Sequence, residues 1–125
     1  MWVFINKAGF FSAVEDTNNP QQVIVRARCR AHAENLADAT GGTVQWTPDA
    51  DYCARVSMTK ATWASFLAVA GLGIDYHNCK NELVGDDDAY HIAMFEVWEA
   101  LNNYQGEKEG VGLYVKKKRL PRRKS

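Results

Sequence analysis

Residues 23–30 read VIVRARCR, and this stretch decides the fold. Two sets of side chains alternate along it, one apolar and one largely cationic. The apolar set is Val23, Val25, Ala27 and Cys29, and the other set is Ile24, Arg26, Arg28 and Arg30. Successive side chains of a β-strand point to opposite faces of its sheet. The alternation therefore predicts a strand with one face toward a core and one cationic face.

Strand patterns flank this stretch on both sides. Residues 2–5 and 10–14 are rich in aromatic and β-branched side chains, and the Lys-Ala-Gly turn at 7–9 separates them. Residues 16–21 have the composition of a turn and lead into the stretch at 23–30. After it, alternating patterns before and after Pro48 predict a second hairpin, which extends to Met58.

Helical patterns complete the domain. One helix is predicted from about Ala31 to Thr40, before two glycines, and a second begins at Thr59, whose hydroxyl can cap it. A third follows Asp88, where acidic side chains favour a helix N-terminus. The element order β-β-β-α-β-β-α-α predicts an α+β fold, in which helices pack over one face of an antiparallel sheet.

Charge divides the chain into two parts. Residues 1–105 contain seven Lys or Arg against thirteen Asp or Glu, whereas residues 106–125 contain eight basic and two acidic residues. We expect a single domain over 1–105 and a flexible, disordered basic tail over 106–125, because the tail has too little apolar surface to fold. Its phosphate-binding candidates are Lys116, Lys117, Lys118, Arg119, Arg122, Arg123 and Lys124.

Several protein classes lack support in the sequence. No apolar run reaches the roughly 20 residues of a membrane span, and the N-terminal residues lack the pattern of a secretory signal. Three cysteines without a C-x-x-C pair predict reduced thiols rather than disulfides. The glycine-rich motifs of dinucleotide and P-loop sites are absent. We therefore expect a cytoplasmic protein without a cofactor.

The cationic face is the first candidate site. Arg26, Arg28 and Arg30 are spaced at about 7 Å along the predicted strand, a spacing that suits a phosphodiester or another polyanion. Arg55, on a later strand, is a fourth candidate. The alternative is a solvated face on which these cations pair with carboxylates, namely Glu15, Asp16 or Asp51.

The segment IDYHNCK at residues 74–80 is the second candidate. Tyr76, Asn78 and Lys80 together provide a ring, an amide and a cation, which can recognise a base and a phosphate. The alternative is a loop in which Asp75 and Asn78 cap the next helical turn.

Catalysis has weaker support than binding. His77, Cys79 and His91 include a nucleophile and bases, but their spacing matches no nucleophile or metal-ligand motif. The acidic run before Asp88 is better explained as a helix start than as a cation site. We therefore predict no catalytic residue and no metal ligand, and a non-enzymatic protein is the favoured interpretation.

Five strings resemble, in this order, a family of small uncharacterised proteins of bacteria and their phages. They are GFFSAV at 9–14, VRAR at 25–28, ADYCAR at 50–55, IDYHNCK at 74–80 and AYHIAMFEVWEAL at 89–101. Cys79 stands where an aromatic residue is expected, and the basic tail is not part of the pattern. The resemblance implies a single domain and a bacterial or phage source, hence a bacterial host cell. It carries over no activity and no catalytic residue.

Three functional hypotheses follow from these features. The first is a phage or bacterial accessory protein that binds nucleic acid or a nucleotide in host takeover or counter-defence, including sequestration of a nucleotide signal. The second is a protein–protein inhibitor or adaptor that acts through its acidic body, with a host protein as partner. The third is a small Cys/His hydrolase or transferase. Formation of a homo-oligomer is compatible with all three.

The basic tail leads to a first prediction. If its cations contact phosphates, the affinity for duplex DNA should fall with salt, with a log-log slope of about −0.9 per contact. Deletion of residues 116–125 should flatten that slope in a fluorescence anisotropy titration and leave the domain folded, because the deleted segment buries almost no apolar surface. An unchanged affinity and slope after deletion would show that the tail makes no contact with DNA.

Overall fold

The computed structural model describes residues 1–77 and 88–112 of the 125-residue chain. Its elements are β1 (Trp2–Ile5), β2 (Gly9–Asp16), β3 (Asn19–Ala27), α1 (Arg30–Thr40), β4 (Gln45–Trp46), β5 (Ala54–Thr59), α2 (Lys60–Leu72) and α3 (Asp88–Glu109). The chain divides into two compact units, Met1–Gly85 and Asp86–Ser125, and α3 belongs to the second. The single domain over 1–105 and the flexible tail stay predictions.

The first unit is built around a five-stranded sheet in the order β1-β2-β3-β5-β4. Every neighbouring pair is antiparallel. The predicted α+β fold is confirmed, and so are both predicted hairpins. Residues 23–27 of the opening stretch lie in β3, the central strand, which pairs with β2 on one side and β5 on the other.

One face of the sheet carries the core. The alternating residues predicted to face inward in β3 are buried there, together with alternate residues of β2 and β5 on the same face, and α1 and α2 pack over them. The buried cluster is Phe11, Ala13, Val23, Val25, Ala27, Ala33, Leu36, Ala37, Ala54, Val56, Met58 and Trp63. Small side chains on α1 allow the helix to approach the sheet closely, as its alanine-rich sequence indicates.

The β1–β2 turn is fastened to α1. Backbone N–H of Phe10 donates to Nδ1 of His32 at 3.3 Å, and Nδ2 of Asn35 donates to the carbonyl of Ala8 at 3.0 Å. Gly9 has a φ of +129°, and a Cβ at this position would lie 2.2 Å from Cγ of His32. A side chain is excluded here both by the backbone conformation and by the histidine ring.

The structure ends β3 earlier than the alternation predicts. Ala27 pairs with Ala54, the first residue of β5, so the ladder has no partner strand beyond that point. Cys29 is then the extended N-cap residue of α1, and Arg30 is the first residue of the helix. The prediction that the strand and its cationic face continue to Arg30 is therefore wrong, because strand pairing stops at Ala27.

The helices of the described residues have the expected ends. Thr59 caps α2 as predicted, since its hydroxyl accepts a hydrogen bond from the backbone N–H of Thr62 at 3.1 Å. Gly41 closes α1 in the left-handed conformation, with a φ of 74°. Within residues 1–77 and 88–112, no helix combines the length and the apolar character that crossing a membrane requires.

The contact between Gly9 and His32 leads to a second prediction. Gly9→Ala should lower the free energy of unfolding by about 2 to 5 kcal/mol, because the new methyl group meets the buried ring and the positive φ becomes strained. Gly41→Ala is the control, since its φ is also positive but nothing lies within 4 Å of the added atom. It should cost about 1 kcal/mol. Equal losses for both variants in urea unfolding would show that the histidine contact is not a constraint.

Candidate functional site

The sheet face opposite α1 and α2 carries a row of side chains that crosses all five strands. Direct cross-strand pairing joins Trp2 to Ser12, Ser12 to Arg26, Arg26 to Arg55, and Arg55 to Gln45. Residues directly opposite each other in antiparallel strands share a face. We call these five residues the transverse row. With strands about 4.8 Å apart, Trp2 and Arg55 are separated by about 14 Å.

Arg26 occupies the middle of the transverse row, on the central strand. Its Nη2 donates to Oγ of Ser12 at 2.8 Å, and Ser12 is fully buried beneath it. Nε of Arg26 is also buried, and it has no hydrogen-bond partner among the described residues. A guanidinium has five donors in a fixed geometry, so the group retains hydrogen-bonding capacity after its bond to Ser12.

The ring of Tyr52 contacts two guanidinium groups. Cζ of Arg26 is 4.5 Å and Cζ of Arg28 is 4.0 Å from the ring centroid, and Tyr52 is only 4% exposed. Both distances are within the range of a cation–π contact. The tyrosine thus holds two arginines side by side, although one belongs to β3 and the other lies just after it.

Backbone contacts in the β4–β5 turn fix the position of Tyr52. Oγ1 of Thr47 donates to the carbonyl of Tyr52 at 2.7 Å, and the carboxylate of Asp51 accepts from its N–H at 3.0 Å. Arg28 adds a bond from Nη1 to the carbonyl of Asp51 at 3.0 Å. The turn and the arginines therefore stabilise each other, which gives the cations defined positions.

The expected neutralising carboxylates are mostly engaged elsewhere. Glu15 pairs with Lys60 at 2.7 Å, and Asp16 accepts a hydrogen bond from the backbone of Asn18. Asp51 alone of the three contacts an arginine of the row, with its carboxylate 3.6 Å from Nη2 of Arg55. Its side chain is 70% exposed, so this ion pair is strongly screened. The alternative, in which carboxylates neutralise the cations of a solvated face, therefore accounts for Arg55 but not for Arg26 or Arg28.

Aromatic rings lie on the same face of the sheet as the cations. The ring centroids of Trp2 and Phe10 are 6.3 Å apart, and those of Phe4 and Phe10 are 4.6 Å apart. Trp2 is 75% exposed. These three rings were not predicted as site residues. The alternation of Trp2 and Phe4 with Val3 and Ile5 was a usable signal, but the pairing of β1 with β2 was needed to place them beside Ser12 and Phe10.

Arg30 does not belong to the transverse row. Its Cζ lies 4.2 Å from the ring centroid of Trp46. Trp46 pairs directly with Ala54, a core residue, so its side chain is on the side of the sheet that the helices cover. Of the four arginines predicted as ligand-binding residues, the structure thus brings three together and places Arg30 on the opposite face.

The second candidate segment is only partly described. Asp75 and Tyr76 line a small cavity of about 130 Å³, together with residues of the β1–β2 turn. Asn78 and Lys80 lie outside the described residues, and so do the seven cations of the tail. Whether these residues bind a ligand stays a prediction.

The residues considered for catalysis form no site in the described part of the chain. His77 is exposed, Cys79 lies outside the described residues, and His91 is on α3 in the other unit. Among residues 1–77 and 88–112, no group of three or more His, Cys, Asp or Glu side chains is placed to hold a metal ion. The catalytic interpretation gains no geometric support.

No model of a known protein family, no curated protein and no solved structure matches the chain. The functional interpretation therefore depends on the chemistry of the transverse row and of Tyr52.

The stacking of Arg28 on Tyr52 leads to a third prediction. In a double-mutant cycle of Arg28→Ala and Tyr52→Leu, we expect a coupling energy of about 1 kcal/mol, because each substitution removes the same cation–π contact. A cycle of Lys60→Ala with Tyr52→Leu is the control and should give no coupling, since Lys60 pairs with Glu15 instead. Additive losses for Arg28 and Tyr52 in urea unfolding would contradict the stacked arrangement.

Proposed function

We propose that the protein is a non-enzymatic binder of single-stranded nucleic acid. The strand lies across the transverse row and also contacts Arg28, which the buried ring of Tyr52 holds beside the row. The observation that carries the proposal is the cross-strand series Trp2, Ser12, Arg26 and Arg55, which sets an exposed ring and two guanidinium groups on one face. Proteins that bind single strands combine these two features, a stacking ring and a cationic track.

The cations provide the contacts to phosphate. Arg26, Arg28 and Arg55 lie on one face, and of the carboxylates in the described residues only that of Asp51 is paired with one of them, Arg55, so positive charge is in excess at this point of the surface. Guanidinium groups bind phosphate oxygens through paired, charge-assisted hydrogen bonds. The guanidinium of Arg26 has five donors, so after its bond to Ser12 it retains donors for an approaching anion.

The exposed ring favours a single strand over a duplex. Bases in a duplex are stacked on each other and present only their edges, whereas an unpaired base offers its face to an aromatic side chain. Trp2 has the exposure needed for such stacking, and it lies about 14 Å from Arg55 across the sheet. That distance accommodates a base at one end of the row and a phosphate at the other.

The resemblance to proteins of bacteria and phages supplies a biological setting for the proposal. A phage-encoded binder of single strands or of a nucleotide signal would act in host takeover or counter-defence by sequestering its ligand. Sequestration requires no turnover. A mononucleotide presents the same base and phosphate groups as a single strand, in a smaller ligand.

The proposal is tested by binding of labelled single-stranded DNA and RNA, measured by fluorescence anisotropy. Trp2→Ala should weaken binding by about 1 to 3 kcal/mol through the loss of stacking. Arg55→Ala should also weaken binding, and it should reduce the log-log slope of affinity against salt by the contribution of about one phosphate contact. Duplex DNA of the same length should bind less tightly to the chain without residues 116–125, in which the tail cannot contribute.

Lys60→Ala is the matched control, because it removes the same charge from the surface at the opposite end of β3 and β5. It should leave affinity unchanged. Equal weakening by Lys60→Ala and Arg55→Ala would show that binding depends only on general charge attraction. If single strands and mononucleotides both fail to bind the wild type, the proposal is wrong, and a protein partner for the acidic body becomes the better hypothesis.

A further inference from the structure

A cavity of about 850 Å³ lies on the other side of the sheet, between α1, α2 and the β1–β2 turn. Its volume is within the range of small-molecule sites, which is about 300 to 1,000 Å³. The walls are apolar where α2 contributes Phe66, Val69 and Ala70, and Ile5 contributes from β1. This cavity shares no residue with the transverse row.

Asn6 borders this cavity and also the smaller one beside Tyr76. Both polar atoms of its carboxamide, Nδ2 and Oδ1, are buried and have no hydrogen-bond partner among the described residues. A buried amide of this kind loses its bonds to water without replacement, which destabilises the fold. A ligand that supplies both a donor and an acceptor is one way to satisfy such an amide.

The polar side chains around the cavity do not select an anion. Lys7 and Asp38 are exposed at its edge, carry opposite charges and have no ion-pair partner among the described residues. Asn35 and Thr40 already donate to backbone carbonyls, those of Ala8 and Leu36. The cavity thus combines apolar walls, no net charge and one amide that requires both a donor and an acceptor.

We propose that this cavity binds a neutral planar molecule with an adjacent hydrogen-bond donor and acceptor, either a carboxamide or a nucleobase. After rotation of its side-chain torsions, Asn6 forms the reciprocal pair of hydrogen bonds, as an amide does with the N6 and N7 edge of adenine. The flat ring of the ligand packs against Phe66 and the neighbouring small side chains of α2. This site is independent of the transverse row.

The test compares matched probes by chemical-shift changes in two-dimensional NMR spectra of the whole chain. Benzamide is compared with methyl benzoate, which cannot donate, and adenine with purine, which lacks the exocyclic amine. Binding of benzamide or adenine with shifts at Asn6 and Phe66, about tenfold tighter than the matched probe, supports the site. The pair of probes that shows this preference identifies the ligand as a carboxamide or a base. No discrimination in either pair overturns the proposal.

Two sets of variants locate the site. Asn6→Leu should raise the melting temperature, because it removes an unsatisfied amide, and should abolish the preference for benzamide over methyl benzoate. Ala61→Phe should block the cavity from the exposed side of α2, whereas Ala64→Phe, which is also exposed but does not line the cavity, should leave binding intact. A lowered melting temperature for Asn6→Leu with unchanged probe preference would show that Asn6 has a structural role only.

Discussion

The central position of β3 constrains the rest of the first unit. Pairing on both edges fixes its backbone, so each side chain faces either the helices or the opposite surface. Val25 enters the core, and Arg26 enters the transverse row. A slip of one residue would exchange them and place a guanidinium among apolar side chains, at a prohibitive cost. The core therefore specifies the position of the arginine, and the same register aligns Ser12 and Arg55 with it.

Local patterns predicted the elements, but not the site as it is assembled. Alternation located β3, and the hydroxyl of Thr59 correctly indicated the start of α2. The end of β3 depended on where β5 begins, which is set by a contact between Ala27 and Ala54 that no local pattern contains. For the same reason Arg30 was assigned to the wrong face. The contact of Tyr52 with two arginines also joins residues that are distant in the chain.

Charge around the transverse row is set locally rather than by the net charge of its unit. Residues 1–85 contain seven Lys or Arg and eight Asp or Glu, so this unit is close to neutral, whereas Arg26, Arg28 and Arg55 lie together on one face. In the proposed complex, a flexible single strand would bring a few phosphates to these cations and stack a base on Trp2. A rigid duplex presents only the edges of its bases and would gain no stacking there.

The two proposed sites would obtain binding energy in different ways. Free arginine side chains lose about 2 kcal/mol of rotamer entropy when they are fixed, but Arg26 and Arg28 are already held by Ser12, Tyr52 and the carbonyl of Asp51. A ligand that meets them loses little of this entropy, which is the advantage of preorganisation. Asn6 is the opposite case, because its amide lacks partners before a ligand arrives. Removal of a holding contact should thus weaken binding at the row through increased mobility, whereas replacement of Asn6 should improve stability while removing recognition. Stability and binding are expected to change together at the first site and in opposite directions at the second.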